Sequence, residues 1–379
     1  MPFRTVLRAI LTSVFFACLV SSLLAQTQNK ASAATPSETW NFVVSGDSRN
    51  CGNVIMPAIA AGAKKDGAAF YWHLGDLRAT YGPDEDYKAE PQNRGHVVDK
   101  TTYQNEEWPD FIQNQVTPFD PLPFFLGIGN HETAAPKTRS EFTQQFKEWL
   151  DSPAIKNQRA ADRDWDKGPD PRTYYHWIQN GIDFVYLDNA TKDQFDHQQL
   201  DWIENLLKHA GSNRSVHAMI IGMHVALPNS LAFVHSMNDW PLGVSTGQRV
   251  YEDLLQFKKK TGKPVYVLAS HSHFFMTDIF DSDYWRDHGG VLPGWIVGTA
   301  GAVRYRLPAL ASRAKEAKQH LYGYLLGTAH ADGTVDFVFH EIQRDDIPEA
   351  IVQRYTPAVV DYCFNQNSEV PPASPGAAR

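Results

Sequence analysis

Cysteine is scarce, with three in 379 residues, so thiolate clusters for metals and disulfide-dense scaffolds are excluded. Positive charge is in short supply too. The formal net charge is −8, and a surface of that sign repels nucleic acid phosphates, so no nucleic acid partner is expected. The chain has no Gly-x-x-x-x-Gly-Lys-Ser/Thr phosphate loop. It has no internal repeat, no long linker, and no run beyond residue 25 apolar enough to span a membrane. With 42% hydrophobic and 12% aromatic residues there is ample material for one large core.

The N-terminus reads as a secretory leader over residues 1–33. Arg4 and Arg8 precede an apolar and small-residue run over 9–25, and Ala31, Ser32 and Ala33 form a small-x-small cleavage site, with Ala25 as the alternative. An uncleaved anchor is the competing reading of the same run. The cleaved chain would lie outside the cytoplasm, secreted or periplasmic, with no stable membrane span. Cys18 would leave with the leader, and the remaining Cys51 and Cys363 then pair as one disulfide in an oxidising compartment. Two buried thiols, or Cys51 beside a metal, are the alternatives. Residues 34–364 are taken as one domain, and 365–379, rich in Pro, Ser, Ala and Gly, as a disordered tail.

Strand-like segments at 40–45, 68–74 and 122–128 each run into a polar loop. Asn180 and Gly181 mark a hairpin between 174–179 and 183–187, and Asp193 is the expected cap of a helix burying Trp202, Ile203, Leu206 and Leu207. Further strands are expected at 216–221, 264–269, 274–280, 294–297, 322–326 and 334–340. Helices alternate with strands early and strands dominate late, which fits two packed sheets flanked by helices. The polar stretches 78–107 and 151–172 look like insertions around a site.

The informative pattern is chemical. Asp47, Asp76, Asn130, His224, His271 and His273 all fall at strand ends or in the loops just after them. Ligands collect at such ends in open α/β architectures. Oxygen and imidazole donors without thiolate suit Fe, Mn, Zn or Ni, and a shared carboxylate suits a metal pair. Each residue alone is weak evidence, since a Gly-Asp after a strand is usually a turn. Their order along one chain is the signal.

Gly46-Asp47, Gly75-Asp76, Gly129-Asn130-His131-Glu132, Met223-His224 and His271-Ser272-His273 resemble the five blocks of the calcineurin-like metallophosphoesterase superfamily, across about residues 41–340. The resemblance implies a four-layer α/β/β/α sandwich and two transition metal ions. Asp76 would bridge the ions, Asp47 and His273 would hold the first, and Asn130, His224 and His271 the second. His131 would be the acid at the leaving group, and a hydroxide between the metals the nucleophile. The implied activity is phosphate ester hydrolysis on a small phosphorylated substrate, with a monoester favoured over a diester.

Three departures matter. Many members carry histidine two residues after the first aspartate; here Arg49 stands there and, being always protonated, cannot ligate. It is read either as a catalytic contact to substrate phosphate or as an ion pair. The tyrosine that ligates in purple acid phosphatases is replaced by Ala79, which also lacks the carboxylate that orients the catalytic histidine elsewhere; Tyr81 is the nearest substitute. Ser270 replaces a usual glycine. Arg304, after Gly298-Thr299-Ala300-Gly301, is a candidate anion contact, and residues 227–242 a candidate lid. A catalytically silent binding domain is the competing class, and a metal-dependent amide or ester hydrolase a weaker third.

Overall fold

The computed structural model describes residues 39–369 apart from residue 234. The expected leader, its cleavage site and residues 370–379 lie outside the described residues. Among the described residues, twelve strands form two sheets. The first, in the order β12-β11-β1-β2-β3, contains β1 (Trp40–Ser45), β2 (Ala68–His73), β3 (Phe124–Leu126), β11 (Tyr322–Ala329) and β12 (Val335–Ile342). The second, in the order β10-β8-β9-β7-β6-β5-β4, contains β4 (Tyr175–Gln179), β5 (Ile182–Leu187), β6 (Ala218–Met223), β7 (Val265–Ala269), β8 (Phe275–Thr277), β9 (Gly294–Val297) and β10 (Ala317–Lys318). β1, β2 and β3 run parallel, as do β5, β6, β7 and β9; β11, β12, β4 and β8 pair antiparallel with their neighbours.

The two-residue period of a strand explains the layering. On β5, Phe184 and Tyr186 enter the core between the sheets, while Val185 and Leu187 enter a second core on the outer face. β6 divides in the same way, with Ala218 and Ile220 inward and Met219, Ile221 and Met223 outward. Between the sheets, Phe42 and Phe70 meet Phe184 edge-on at 5.1 Å each, and Trp177 stacks on Phe125 at 3.8 Å. Such aromatic pairs contribute ~0.5–1.5 kcal/mol each beyond their buried area. The outer core is closed by α2 (His197–Ser212) and α3 (Pro241–Thr261), through Leu206, Leu254 and Tyr251 among others. On the other flank α1 (Gly52–Lys65) covers the first sheet with Val54, Ile55 and Ile59. The α/β/β/α sandwich expected from the sequence is therefore present.

Two local expectations change. Asp196, rather than Asp193, caps α2, its side chain accepting from the Gln199 N–H. The stretch 151–172 runs into the edge strand of the second sheet. Its helix Pro153–Asp162 packs along edge strand β4, where His176 bonds Asp162 at 2.8 Å. Order also continues past residue 364. Asn367 is buried and donates to the Gly301 carbonyl and the Tyr322 hydroxyl, so 365–369 belong to the packed chain. Cys51 and Cys363 form a disulfide, with Cα atoms 5.9 Å apart, that ties the start of α1 to the C-terminal helix Pro357–Asn365. No helix among the described residues is long and apolar enough to cross a membrane.

Candidate metal centre

The five chemical blocks leave the C-terminal ends of β1, β2, β3, β6 and β7, the parallel strands of both sheets, and so meet over one edge of the sandwich. Their loops are knitted backbone to backbone: Asp47 N–H donates to the Gly75 carbonyl at 2.9 Å and Ser48 N–H to the Asp76 carbonyl at 3.0 Å. Asp47, Asp76 and His271 all take left-handed backbone conformations, with φ of 60°, 60° and 65°. L-residues hold such angles only where the surroundings over-determine them. Gly129 allows the closest approach, because a Cβ there would lie 2.3 Å from Asp76 Oδ1 and 2.9 Å from the His224 ring.

Four acceptor atoms converge at the expected second metal position. His224 Nε2 lies 3.0 Å from Asn130 Oδ1, 3.0 Å from His271 Nδ1 and 3.3 Å from Asp76 Oδ1. Nδ1 donates to the Leu74 carbonyl at 3.1 Å and also neighbours Ser270 Oγ, so Nε2 is the nitrogen left to face the cluster. The replacement of glycine by Ser270 thus adds a contact that orients His224. Acceptors packed around one another need a cation between them. With metal bonds of ~2.1 Å, ligands at right angles stand ~3.0 Å apart, the spacing found here. Electrostatics point the same way. Burial alone would raise the Asp76 carboxyl, but His131, His224 and Arg49 hold it well below the usual carboxylate range. Burial would likewise keep His224 neutral, yet Asp76 and Asp47 draw it up to about 9. The residues fit a metal ion at this position.

The expected first position is different. His273 Nε2 is 3.2 Å from Asp47 Oδ1, and Asp47 Oδ1 and Asp76 Oδ2 are buried without a hydrogen-bond partner. Arg49 enters the same space. Its Nη2 lies 3.1 Å from His273 Nε2 and 3.3 Å from the Tyr305 hydroxyl, and its Nε 3.8 Å from Asp76 Oδ2.

His131 is buried at the rim of this cluster, its Nε2 3.7 Å from Asp76 Oδ2. Its Nδ1 donates to the Ala79 carbonyl at 2.6 Å, so the backbone of residue 79 does the orienting that its side chain lacks. Glu132 gathers three backbone N–H groups, from Asp76, Leu77 and Gly129, at 2.7–2.9 Å. Burial, reinforced by Asp76, pushes its carboxyl up to about 8.

No protein-family model matches the chain, and no curated protein does. Solved structures do. The purple acid phosphatase PPD1 from seeds of yellow lupin (Lupinus luteus) is similar with a TM-score of 0.53 at 15% identity, over 81% of this chain and 52% of that one. PhoD is similar with a TM-score of 0.51 at 14% identity, over 82% of this chain and 72% of that one. The chain has the calcineurin-like metallophosphoesterase fold. It spans about half the length of the lupin enzyme.

Within that fold, the expected Asp47, Asp76, Asn130, His131, His224, His271, His273 and Arg49 come together, and Arg304 does not join them. Arg304 is buried, and its guanidinium donates to the carbonyls of Asn367, His320 and Phe364 at 3.0, 2.9 and 2.8 Å, over the Tyr322 ring. Its three-way fork anchors the C-terminal segment. Residues 300–302 are a brace for the Gly46-Asp47 loop: Ala300 N–H donates to the Gly46 carbonyl and Ala302 N–H to that of Asp47. Tyr81 is exposed and sits edge-on against the His131 ring at 4.8 Å.

One site residue, Tyr305, escaped the sequence reading, and a second, His235, entered it only as a member of the candidate lid. Tyr305 stacks on His273 at 3.9 Å and meets Arg49, and His235 stacks on Tyr305 at 5.1 Å and meets His271 edge-on at 5.4 Å. Tyr305 adjoins Arg304, and neighbours in an extended segment point to opposite sides. The sequence left the segment open between lining the site and forming a turn with solvated arginines, and it did not show which of its two faces would hold the contact. His235 belongs to the 227–242 segment, which therefore does border the site.

Proposed function

We propose that the chain is an extracytoplasmic, metal-dependent phosphoric ester hydrolase whose substrate is a small phosphomonoester. The observation that carries this is the convergence of Asp76 Oδ1, Asn130 Oδ1, His224 Nε2 and His271 Nδ1 on one point beside the His131 ring. A transition metal ion bound there would lower the pKa of water and neutralise phosphate charge. The donor set of oxygen and imidazole suits Fe, Mn, Zn or Ni. The residues supply the remainder. His131, held through Nδ1, presents Nε2 to the leaving oxygen and can protonate it. Arg49, with its charge fixed, is placed to receive a phosphate oxygen. Tyr305 and His235 form an aromatic wall on the His273 side.

The disulfide Cys51–Cys363 supports a location outside the cytoplasm, where such bonds persist, and so does the leader-like reading of residues 1–33. The acidic balance of the chain favours a small substrate over a polyanion. The test is hydrolysis of a panel of alkyl and aryl phosphomonoesters and phosphodiesters by protein stripped with chelator and then reloaded with Mn²⁺, Zn²⁺ or Fe. Turnover should appear only after reloading, with monoesters ahead of diesters, and His271→Ala should lose both metal and turnover. Metal-loaded protein inert toward the whole panel would refute the hydrolase, and faster diester cleavage would refute the monoester preference.

A further inference from the structure

Arg49 does more than depart from a family pattern, because it uses the lone pair that a first metal ion would need. His273 donates its Nδ1–H to the Val303 carbonyl at 2.6 Å, leaving Nε2 with a single lone pair in the ring plane. A guanidinium is only a donor, so the 3.1 Å contact between Arg49 Nη2 and His273 Nε2 is an N–H pointing into that lone pair. A metal bound to the same nitrogen would sit on the same axis at ~2.1 Å, inside the space the N–H fills.

The guanidinium is also fixed from its other side. Nη2 reaches the Tyr305 hydroxyl at 3.3 Å, while the Tyr305 ring stacks on His273 and the Tyr305 N–H donates to the His273 carbonyl at 3.1 Å. Arg49 and His273 are thus clamped together, and moving the arginine away breaks both contacts. Ala79 offers no side-chain donor in compensation. Of the expected first set, only Asp47, His273 and the shared Asp76 remain, and a second dication would enter beside a permanent positive charge. The second position carries no such competitor. Among the described residues no arginine or lysine bonds its four acceptor atoms, the Arg49 contact to Asp76 being on Oδ2; His224 Nδ1 is committed to Leu74 and Ser270, and Asp76 Oδ1 accepts the His131 N–H with a second lone pair left over.

We infer that the Arg49 guanidinium takes the place of the first metal ion, so that each chain binds one transition metal, at Asp76, Asn130, His224 and His271, and the second cationic charge of the site is built into the protein. The expectation of two metals is thereby revised to one metal and one arginine. Unlike an ion, this second charge cannot be removed by chelation, and the paired metals that share a water in a binuclear site are absent. The inference rests on the same acceptor cluster as the proposed hydrolase.

The experiment counts ions, with activity measured alongside. Protein stripped with chelator is dialysed against saturating Mn²⁺, freed of excess and assayed for metal per chain, and its electron paramagnetic resonance spectrum is recorded. One ion per chain with the spectrum of an isolated Mn²⁺ is expected. Asp47→Asn should retain that ion, since Asp47 belongs to the position the arginine fills. Arg49→His, which removes the charge and supplies a donor, should raise the count to two and give a spin-coupled spectrum. Two ions in the wild-type chain, a coupled wild-type spectrum, or loss of the ion in a folded Asp47→Asn variant would overturn the inference. A chain that holds one ion yet hydrolyses no phosphate ester upholds the count and refutes the hydrolase. A chain that holds two and hydrolyses does the reverse, and one that holds none refutes both.

Discussion

Replacing His131 with alanine separates proton donation from metal binding, because the two depend on different atoms of the residue. The Asp76 carboxylate accepts from the backbone N–H of residue 131 at 3.0 Å, a bond that alanine preserves. Asn130, His224 and His271 make no hydrogen bond to the His131 ring. Metal content should therefore be unchanged in His131→Ala. What disappears is the imidazole, whose Nδ1 is fixed on the Ala79 carbonyl and whose Nε2 faces the cluster. Burial lowers its pKa, Asp76 opposes that and Arg49 adds to it, which makes the imidazolium a stronger acid and a less abundant one as pH rises. General acid catalysis contributes ~10²–10⁴-fold, or about 3–6 kcal/mol at ~1.4 kcal/mol per decade. That full loss in kcat/KM is expected on an alkyl phosphate, whose alkoxide cannot leave unprotonated. An activated aryl phosphate should lose far less, since its phenolate leaves without help. The assay is kcat/KM for both substrates, wild type against variant, with metal measured on the same samples. Equal losses on the two substrates would refute proton donation by His131, and loss of metal would make the residue a support for the ligands.

Arg304→Ala should cost about 2–4 kcal/mol, because three buried carbonyls lose a charged donor, and it should expose 357–369 to protease and hydrogen exchange while leaving metal content intact; unchanged protection there would refute the anchoring role. The Cys51–Cys363 disulfide closes a separation of 312 residues, for which the chain-entropy relation gives about 6 kcal/mol as an upper figure, so reduction or a Cys51→Ser/Cys363→Ser pair should lower the denaturant midpoint markedly. Two free thiols in oxidised, freshly purified protein would refute the pairing. His176 lies 2.8 Å from both Asp183 and Asp162; burial disfavours its charge, but the two carboxylates outweigh it and raise its pKa to about 9. A raised pKa means stability that is fully present below the unfolded value near ~6.5 and lost as pH rises through about 9. The difference in unfolding free energy between wild type and His176→Asn should shrink between pH 7 and pH 10, and a constant difference would contradict the buried imidazolium.

Much of the fold was written locally. The apolar segments at 40–45, 68–74 and 264–269 coincide with β1, β2 and β7 to within a residue or so, because alternating or continuous β-branched and aromatic runs have few other ways to be buried. The hairpin at Asn180 and Gly181 follows from left-handed turn chemistry, and both residues take positive φ. The cap of α2 was misread by three residues. Asp193 and Asp196 are both acceptable N-caps, and only the packing of the helix start decides which one meets a free N–H.

For the site, the sequence by itself determined which residue types stand at the strand ends: two aspartates, an asparagine and four histidines in an order that implies metal chemistry. It also determined that Arg49 cannot ligate and that Ala79 carries no orienting group. Tertiary structure alone decided what those facts mean. Strands distant in the chain bring Arg49 to His273, 224 residues away, so the missing ligand becomes a competing cation. The fold brings the Ala79 carbonyl, rather than a side chain, to His131. It turns Arg304 toward the C-terminal segment and Tyr305 toward the site, since adjacent extended residues face opposite ways. Residue type fixes what a group can donate or accept; which partner it meets depends on distances set by two sheets packing face to face, and no local pattern encodes those.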